Sequence, residues 1–482
     1  MHMKTSPRSQ PLAALLLAAG AVLALAGCAS SGGIASSAQM IQPASIGLDA
    51  NAPGAVLASD WWRGFGDAKL NQLTERALSA NPSLAVAQAR LARAQAAVSG
   101  AQSADGPHVS GSLDASRQYF SANSIYPPPL GGAGWTLGEA KIGGSWEFDF
   151  FGRNRAAIEA ALGSQRAAAA DAQAARILLA SQVTRSYVQL GRLLEQRTIA
   201  TRSLQQREEM LSLIKQRVQE GLDTKVELRL GEGALPELRQ QIEQIDEQVT
   251  LTRHALAALT AQAPDKLDTL TAPLRAVSAL ILPAAVPANL LGRRADIAAA
   301  RWRVQAASSD VDSAKAQFYP NINLSGFVGL ASIGLDRLTK SSSQEYGVGP
   351  AISLPIFDSG RLRANLSGKA AELDAAVASY NAAVIDAVRD AADQISSLQS
   401  IERQQQQQSR AQAAAESAYE LSTQRYQAGL STYLVVLAAE TSVLNQRRQA
   451  ADLLARALDT QVALMRALGG GYVQQATLAS AP

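Results

Sequence analysis

Two stretches of this chain, Asn154 to Glu220 and Arg361 to Ala428, contain no proline, and the first holds only two glycines, Gly163 and Gly191. Proline is the residue a helix interior tolerates least, so each stretch predicts one continuous helix. The first would run 67 residues, on the order of 100 Å at about 1.5 Å per residue. An ordinary globular domain has no core that long, so the pattern predicts coiled coil or helical bundle. A packing seam is visible after Gly429, where Leu437, Leu444, Ala451, Leu458 and Met465 fall seven residues apart. Composition agrees: of 482 residues 47% are hydrophobic but only 5% aromatic, and alanine supplies much of that hydrophobicity. Alanine suits thin, closely packed helices better than one thick core. The glutamine run Gln404 to Gln408 reads as a solvated helix face.

The helical stretches belong to a duplicated unit. Ala89-Arg90-Leu91-Ala92-Arg93-Ala94-Gln95-Ala96-Ala97, leading to Pro107, mirrors Trp302-Arg303-Val304-Gln305-Ala306-Ala307, leading to Pro320, at an offset of 213. Phe151-Gly152-Arg153-Asn154-Arg155-Ala156 mirrors Ser359-Gly360-Arg361-Leu362-Arg363-Ala364 at an offset of 208. Arg217 to Thr224 mirrors Arg425 to Thr432 at the same 208. Three landmarks in one order at a nearly constant spacing indicate two copies of one structural unit, with the five-residue drift placed in a loop. Each copy reads as helix, strand pair, very long helix, glycine break, helix. At each break, glycine would cap one helix and a hydroxyl residue start the next.

The strands alternate. After Pro320, Ile322, Leu324, Val328 and Leu330 share one face, and Asn321, Asn323 and Ser325 the other. In the first copy Ile142, Trp146, Phe148 and Phe150 alternate with Lys141, Ser145, Glu147 and Asp149, and a further strand is predicted through Val348, Ile352, Leu354 and Ile356. Windows 107–151 and 318–357 hold 13 of the 23 aromatic residues, the enrichment that membrane barrels show at their interfaces. Four strands cannot close, because the smallest membrane barrels need about eight, and an open edge in lipid would leave backbone groups unpaired. The chain is therefore expected to oligomerise through its strands. Two copies would give eight strands and three would give twelve.

The amino terminus reads as an address. Lys4 and Arg8 precede an apolar run from Pro11 to Ala26 that closes on Leu25-Ala26-Gly27-Cys28. The run falls short of the roughly 20 residues that span hydrocarbon, and it fits a cleaved leader instead. The Leu-Ala-Gly-Cys box resembles that of bacterial lipoproteins, which implies that Cys28, the only cysteine, carries lipid and leaves no thiol for a disulfide. Removing residues 1–27 takes Lys4 and Arg8 with it, and the formal charge falls from +3 to +1. Ala29 and Ser30 follow, without the aspartate that in many bacterial lipoproteins signals inner-membrane retention. The outer membrane is the expected destination, with residues 28–59 as a Ser, Gly and Ala-rich tether.

Several function classes are excluded. A nearly neutral chain lacks the electrostatic footprint of a nucleic-acid binder. His108 and His254 have no Cys or Asp neighbours at metal-ligand spacing, and no hydrolase elbow, phosphate loop or zinc-protease motif occurs. The carboxylates interleave with Arg and Lys at helical spacing, as on a solvated coil. No enzyme activity and no cofactor beyond the covalent lipid on Cys28 are expected. Nothing in the chain could harvest ATP or a proton gradient, so any transport must be driven by a partner.

At this point the residues resemble the outer-membrane efflux factors, in particular the lipoprotein branch that works with resistance-nodulation-division pumps. The motifs are Trp62-Arg63-Gly64-Phe65-Gly66-Asp67 with Leu70 and Leu73, Asn81-Pro82-Ser83-Leu84, and Ser145 through Arg153. Leu290-Leu291-Gly292-Arg293-Arg294-Ala295-Asp296-Ile297, Phe318-Tyr319-Pro320 and the two Gly-Leu-x-Thr turns complete the match. The resemblance implies an α plus transmembrane β fold: a homotrimer with one twelve-stranded barrel, and long antiparallel coiled-coil helices forming a periplasmic tunnel. It implies a passive duct for small molecules in the bacterial outer membrane, served by a periplasmic adaptor and an inner-membrane pump. The adaptor would dock on Arg217, Gly221, Leu222, Asp223 and Thr224, and on Arg425, Gly429, Leu430, Ser431 and Thr432. The candidate periplasmic gate is Glu227, which matches the family's acidic position at the mouth, with Arg229 nearby, and Val435 and Ala438, which stand where relatives often place acids. Ala295 stands where the family usually has proline. Two other classes stay open, the exit duct of a type I protein-secretion system and a structural coiled-coil lipoprotein.

The expected organisation is a signal peptide (1–27), the acylated tether (28–59), a first-unit helix (60–106), a first barrel hairpin (107–151) and a first long helical pair (152–262). An equatorial linker (263–292), a second-unit helix (293–318), a second hairpin (319–357), a second helical pair (358–468) and a tail (469–482) follow.

Overall fold

The computed structural model describes residues 30–42, 45, 57–278, 280, 293–358 and 360–473. Cys28, the leader and Leu290-Leu291-Gly292 lie outside the described residues. In chain order the elements are α1 (Ala68–Ala80), α2 (Pro82–Ala104), β1 (His108–Tyr119), β2 (Gly134–Phe148), α3 (Arg153–Gln219) and α4 (Lys225–Leu259), then α5 (Ala295–Ala316), β3 (Asn321–Ile333), β4 (Gln344–Ser353), α6 (Arg361–Gln427) and α7 (Tyr433–Ala467). Both proline-free stretches form single helices of 67 residues. They begin and end one residue from the bounds read in the sequence, or share them.

The chain divides into two compact units. The first, residues 1–40, 91–167 and 300–380, carries the sheet. Its strands lie in the order β1-β2-β3-β4, every pair antiparallel. The predicted strands run long at their ends. β2 stops at Phe148 because the Asp149 carboxylate accepts the Arg155 backbone N–H at 2.8 Å, capping the first turn of α3. β4 stops at Ser353, paired with Asn321; the next residue of β3's chain is Pro320, which has no N–H for the ladder. Asp149, Phe150, Leu354 and Ile356 therefore fall outside the strands. Below the sheet, Val311, Ala314 and Phe318 of α5 and its end pack on Leu362 and Leu366 of α6. A Cβ at Gly163 in α3 would sit 3.0 Å from the Ala306 Cβ, so this glycine lets α3 and α5 touch backbone to backbone.

The second unit, residues 41–90, 168–299 and 381–482, is helical. The pairs Arg239–Glu208 (2.8 Å) and Arg197–Asp246 (2.5 Å) show α3 and α4 running antiparallel, and Arg447–Glu416 (3.0 Å) joins α6 to α7 beyond their turn at Gly429. The core collects Trp61, Phe65 and Leu70, Tyr187, Leu190 and Leu193 of α3, Leu256 of α4 and Leu458 of α7. Of the predicted heptad seam, Leu444, Ala451, Leu458 and Met465 are buried, and Leu437 is half-buried. The small side chains are what allow such close helix approach.

Candidate functional site

Strand register decides which side chains share a face. Val109 and Leu113 of β1 stand with Ile142 and Trp146 of β2, Val328 and Leu324 of β3, and Tyr346, Val348 and Ile352 of β4. All are exposed in the single chain, Val348 by 81% and Leu113 by 77%. Large apolar side chains that run along one face of a sheet and stay this exposed mark contact with a partner or lipid. Among the described residues no helix is long and apolar enough to cross a membrane. The opposite face carries Ser110, Ser112, Asp114, Glu139, Lys141, Ser145, Glu147, Asn323, Ser325 and Glu345. Phe327 also lies on it, as do Trp135, Leu137 and Ile333 toward the loop end, exceptions that the alternation pattern did not reveal. Aromatic groups mark both ends of the strands. Phe151 stacks on Tyr319 at 5.0 Å and Trp146 meets Phe148 at 4.7 Å at the helix end, while Phe120 meets Tyr126 at 5.0 Å at the loop end. β1 and β4 are the outer strands, each with one unpaired edge.

The turns between long helices come next. Gly221 and Gly429 adopt φ of 74° and 76°, the left-handed conformation that closes a helix, and the N–H groups of Leu222 and Leu430 return 2.8 Å hydrogen bonds to the carbonyls of Arg217 and Arg425. Leu222, Val226, Leu430, Leu434 and Val435 are exposed around these turns. The two turns are not equivalent. Arg217 donates to both carboxylate oxygens of Asp223 (3.1 and 3.4 Å) and lies 4.7 Å over the Tyr426 ring, and the Tyr426 hydroxyl donates to Asp223. Burial, and then the Asp223 carboxylate, push the Tyr426 phenol above its ordinary pKa. In the second turn Arg425 is exposed and Ser431 faces no such partner set. Sequence reasoning had Arg217 and Asp223 and missed Tyr426. The available signal was divergence between the copies, since the position matching Tyr426 is Val218.

The proposed mouth residues are placed as follows. Glu227 is the acidic member of a capping box: its Oε2 accepts the Thr224 N–H at 3.0 Å and the Thr224 hydroxyl, and the Val226 N–H donates to the Thr224 oxygen at 3.1 Å. The Thr224 hydroxyl bond, followed by the backbone donors, holds the Glu227 carboxyl below its ordinary pKa. Arg229 pairs with Glu232 at 2.6 Å on an exposed face, and Val435 and Ala438 are exposed on α7. Thr432 starts α7 without a side-chain cap.

A third feature was legible only as composition. Residues 30–42 are not a free tether; they lie along α6. Asp374 accepts from the Ser36 hydroxyl (2.6 Å) and from the backbone of Ser37 and Ala38 (3.0 and 2.9 Å), and Arg363 donates to the Ser30 carbonyl at 2.6 Å. Farther on, Asn381 accepts the Ile41 N–H at 2.8 Å. The Arg-Arg-Ala-Asp-Ile block is structural: buried Arg294 grips Asp296 through two bonds (3.0 and 2.7 Å) and reaches the Ala467 carbonyl at 3.3 Å, tying the start of α5 to the end of α7. Burial pulls the Asp296 carboxyl up, but Arg294 and the backbone N–H groups of Ile297 and Asp296 together outweigh it and the net shift is downward.

Comparison with known proteins agrees with this geometry. The outer membrane efflux protein family model matches twice, at residues 73–262 and 286–470. The two matches start 213 residues apart and end 208 apart, the same two offsets that mark the duplication. The multidrug resistance outer membrane protein MdtQ of Escherichia coli O6:H1 is 34% identical over 422 residues, covering 86% of this chain and 88% of the relative. MdtP of Escherichia coli K12, another multidrug resistance outer membrane protein, is 32% identical over 96% of this chain and 98% of its own length. Among solved structures, the outer membrane protein VceC of Vibrio cholerae aligns with a TM-score of 0.81 at 36% identity, covering 86% of this chain and all of VceC.

Proposed function

The chain belongs to the outer membrane efflux protein family and acts in the bacterial outer membrane as an efflux channel; we propose that it is the passive exit duct of a tripartite multidrug efflux system. The observation that carries this reading is a four-stranded sheet with one apolar face, one polar face and two unpaired edges, built into the same chain as helices of 67 residues. Three copies would join edge to edge, turn the apolar faces to lipid and enclose the polar faces around water. The helices would carry that lumen into the periplasm. The exposed leucines at the Gly221 and Gly429 turns offer an apolar docking surface to an adaptor that links the duct to an energised inner-membrane pump. The Arg217–Asp223–Tyr426 cluster holds the two turns of one chain together, so the docking surface is presented as one unit. Glu227, repeated in each copy, supplies an acidic group at the mouth beside its capping role.

The deletion strain is the test. Loss of the gene should raise sensitivity to several unrelated drugs while leaving the secreted proteins unchanged. A lost secreted protein with unaltered drug sensitivity would favour the exit duct of a protein-secretion system instead. No change in either, together with no conductance in bilayers, would leave a structural lipoprotein.

The anchor follows the same logic. Ser30, two residues after Cys28 in the sequence, is held beside the first turn of α6, just past β4. A lipid on Cys28 would then enter the leaflet next to the strand ends. Cys28→Ser should eliminate labelling by palmitate, and persistent label would contradict the anchor.

A further inference from the structure

The polar face of the sheet carries a charge network that the duct reading leaves without a role. Among the described strand residues of that face, Lys141 is the one Lys or Arg, set against Asp114, Glu139, Glu147 and Glu345. Glu147 is engaged outside the strands, by Arg153 at 2.5 Å. Lys141 contacts Glu139 on its own strand at 2.5 Å and Glu345 at 3.3 Å. Glu345 lies two strands away, because Lys141 pairs with Gly329 and Gly329 with Glu345. Two strand spacings come to about 9.5 Å, so the lysine can reach only by lying flat across β3. Gly329 permits that: a Cβ there would come 2.6 Å from the Ala140 carbonyl and 3.3 Å from the Lys141 Cβ. The ammonium also sits 4.6 Å over the Phe327 ring, which gives this aromatic side chain a partner among the charged groups of the face. Asp114 stands opposite Glu139 on β1.

We propose that Lys141 is a specificity-determining residue of the duct, a fixed positive charge that moderates an acidic collar inside the barrel. The inference rests on the channel reading given above. Asp114, Glu139, Glu345 and Lys141 give each chain a net charge of −2 at this level, and three copies repeat it around the lumen. The collar favours cations, and Lys141 limits that preference. Removing the lysine exposes both glutamates to the permeating ion. Three charges about 10 Å from the axis, screened at 0.1 M salt, change the cation-to-anion permeability ratio by about fourfold.

The full-length protein in planar bilayers, under a potassium chloride gradient, supplies the test. The wild-type reversal potential should show potassium preferred over chloride. Lys141→Gln should raise that preference about fourfold, Glu139→Gln with Glu345→Gln should lower it, and Lys141→Arg should match the parent. Lys141→Cys keeps the question open to chemistry on one folded channel, since Cys28 is the only other cysteine. A water-soluble cationic thiol reagent should return its selectivity to the parent's, and an anionic one should push it further toward cations. Unaltered reversal potentials across these variants, or an introduced thiol that water-soluble reagents never modify, would overturn the proposal. A wild-type protein that conducts nothing would instead overturn the channel reading.

Discussion

Val328→Arg is expected to abolish assembly into the outer membrane. Val328 stands near the middle of β3, in register with Ile142 on one side and Tyr346 on the other, and all three are exposed in the single chain, by 59%, 58% and 84%. An arginine on the lipid face of a barrel costs about 2–4 kcal/mol at the bilayer midplane. Three copies repeat the defect, which brings the total to roughly 6–12 kcal/mol, comparable with the whole stability of an ordinary domain. Ser325→Arg is the matched control, because Ser325 lies on the opposite face, opposite Ser145 and Gly349. That arginine should face water and leave assembly intact. Membrane fractionation and the heat-modifiable oligomer on a denaturing gel report both. Val328→Arg oligomers in the membrane at the parent's level would show that this face does not meet lipid.

The same pair of residues marks how far the sequence could be read. Alternation alone put Val328 and Ser325 on different faces, because side chains in a strand invert at every residue, whatever the strand pairs with. The long helices were equally legible, since the absence of proline over 67 residues is a local property. What alternation could not supply was pairing. Lys141 reaches Glu345 because β2 and β4 flank the same glycine of β3, and nothing near Lys141 in the chain announces that partner. The same holds for Tyr426 and Asp223, 203 residues apart. A repeat comparison shows where the copies diverge, as at Val218 and Tyr426, but not what the divergent side chain touches. The segment from residue 30 misled for a different reason. Ser, Gly and Ala describe an extended tether by composition, yet here short side chains let the backbone approach Asp374 closely enough for its carboxylate to collect four hydrogen bonds from Ser36, Ser37 and Ala38. Glu227 was read as a mouth residue from its match to the family's acidic position, and the capping box gave it a local structural task that the Thr-x-x-Glu spacing already contained.

The second large effect is expected where sequence reasoning saw only a solvated coil. Arg207 of α3 and Glu440 of α7 form an ion pair whose side chains are only 10% and 7% exposed. The Arg207 Nε faces both carboxylate oxygens at 3.1 and 3.2 Å, and its Nη1 donates to the Ala234 carbonyl of α4 at 3.2 Å. One guanidinium thus joins three helices, and Glu440→Ala should cost about 3–5 kcal/mol by leaving it buried without its counter-charge. Arg207→Met combined with Glu440→Leu should recover most of that loss, because apolar side chains of similar size remove the desolvation penalty together with the attraction. The pH dependence separates this account from simple loss of packing. Burial, opposed by Arg207, pushes the Glu440 carboxyl above its ordinary 4.5. The folded chain therefore holds that proton more tightly than the unfolded one. Its contribution to stability is complete below 4.5 and is lost as pH rises through the folded-state value. Relative to Glu440→Gln, which cannot titrate, the parent should lose stability over that window. Thermal melts of the detergent-solubilised protein, followed by helical circular dichroism at several pH values, measure both effects. An Ala variant that melts with the parent, or a parent and Gln variant that run parallel through the window, would mean that water reaches this pair and that the three helices are held by their apolar seam alone.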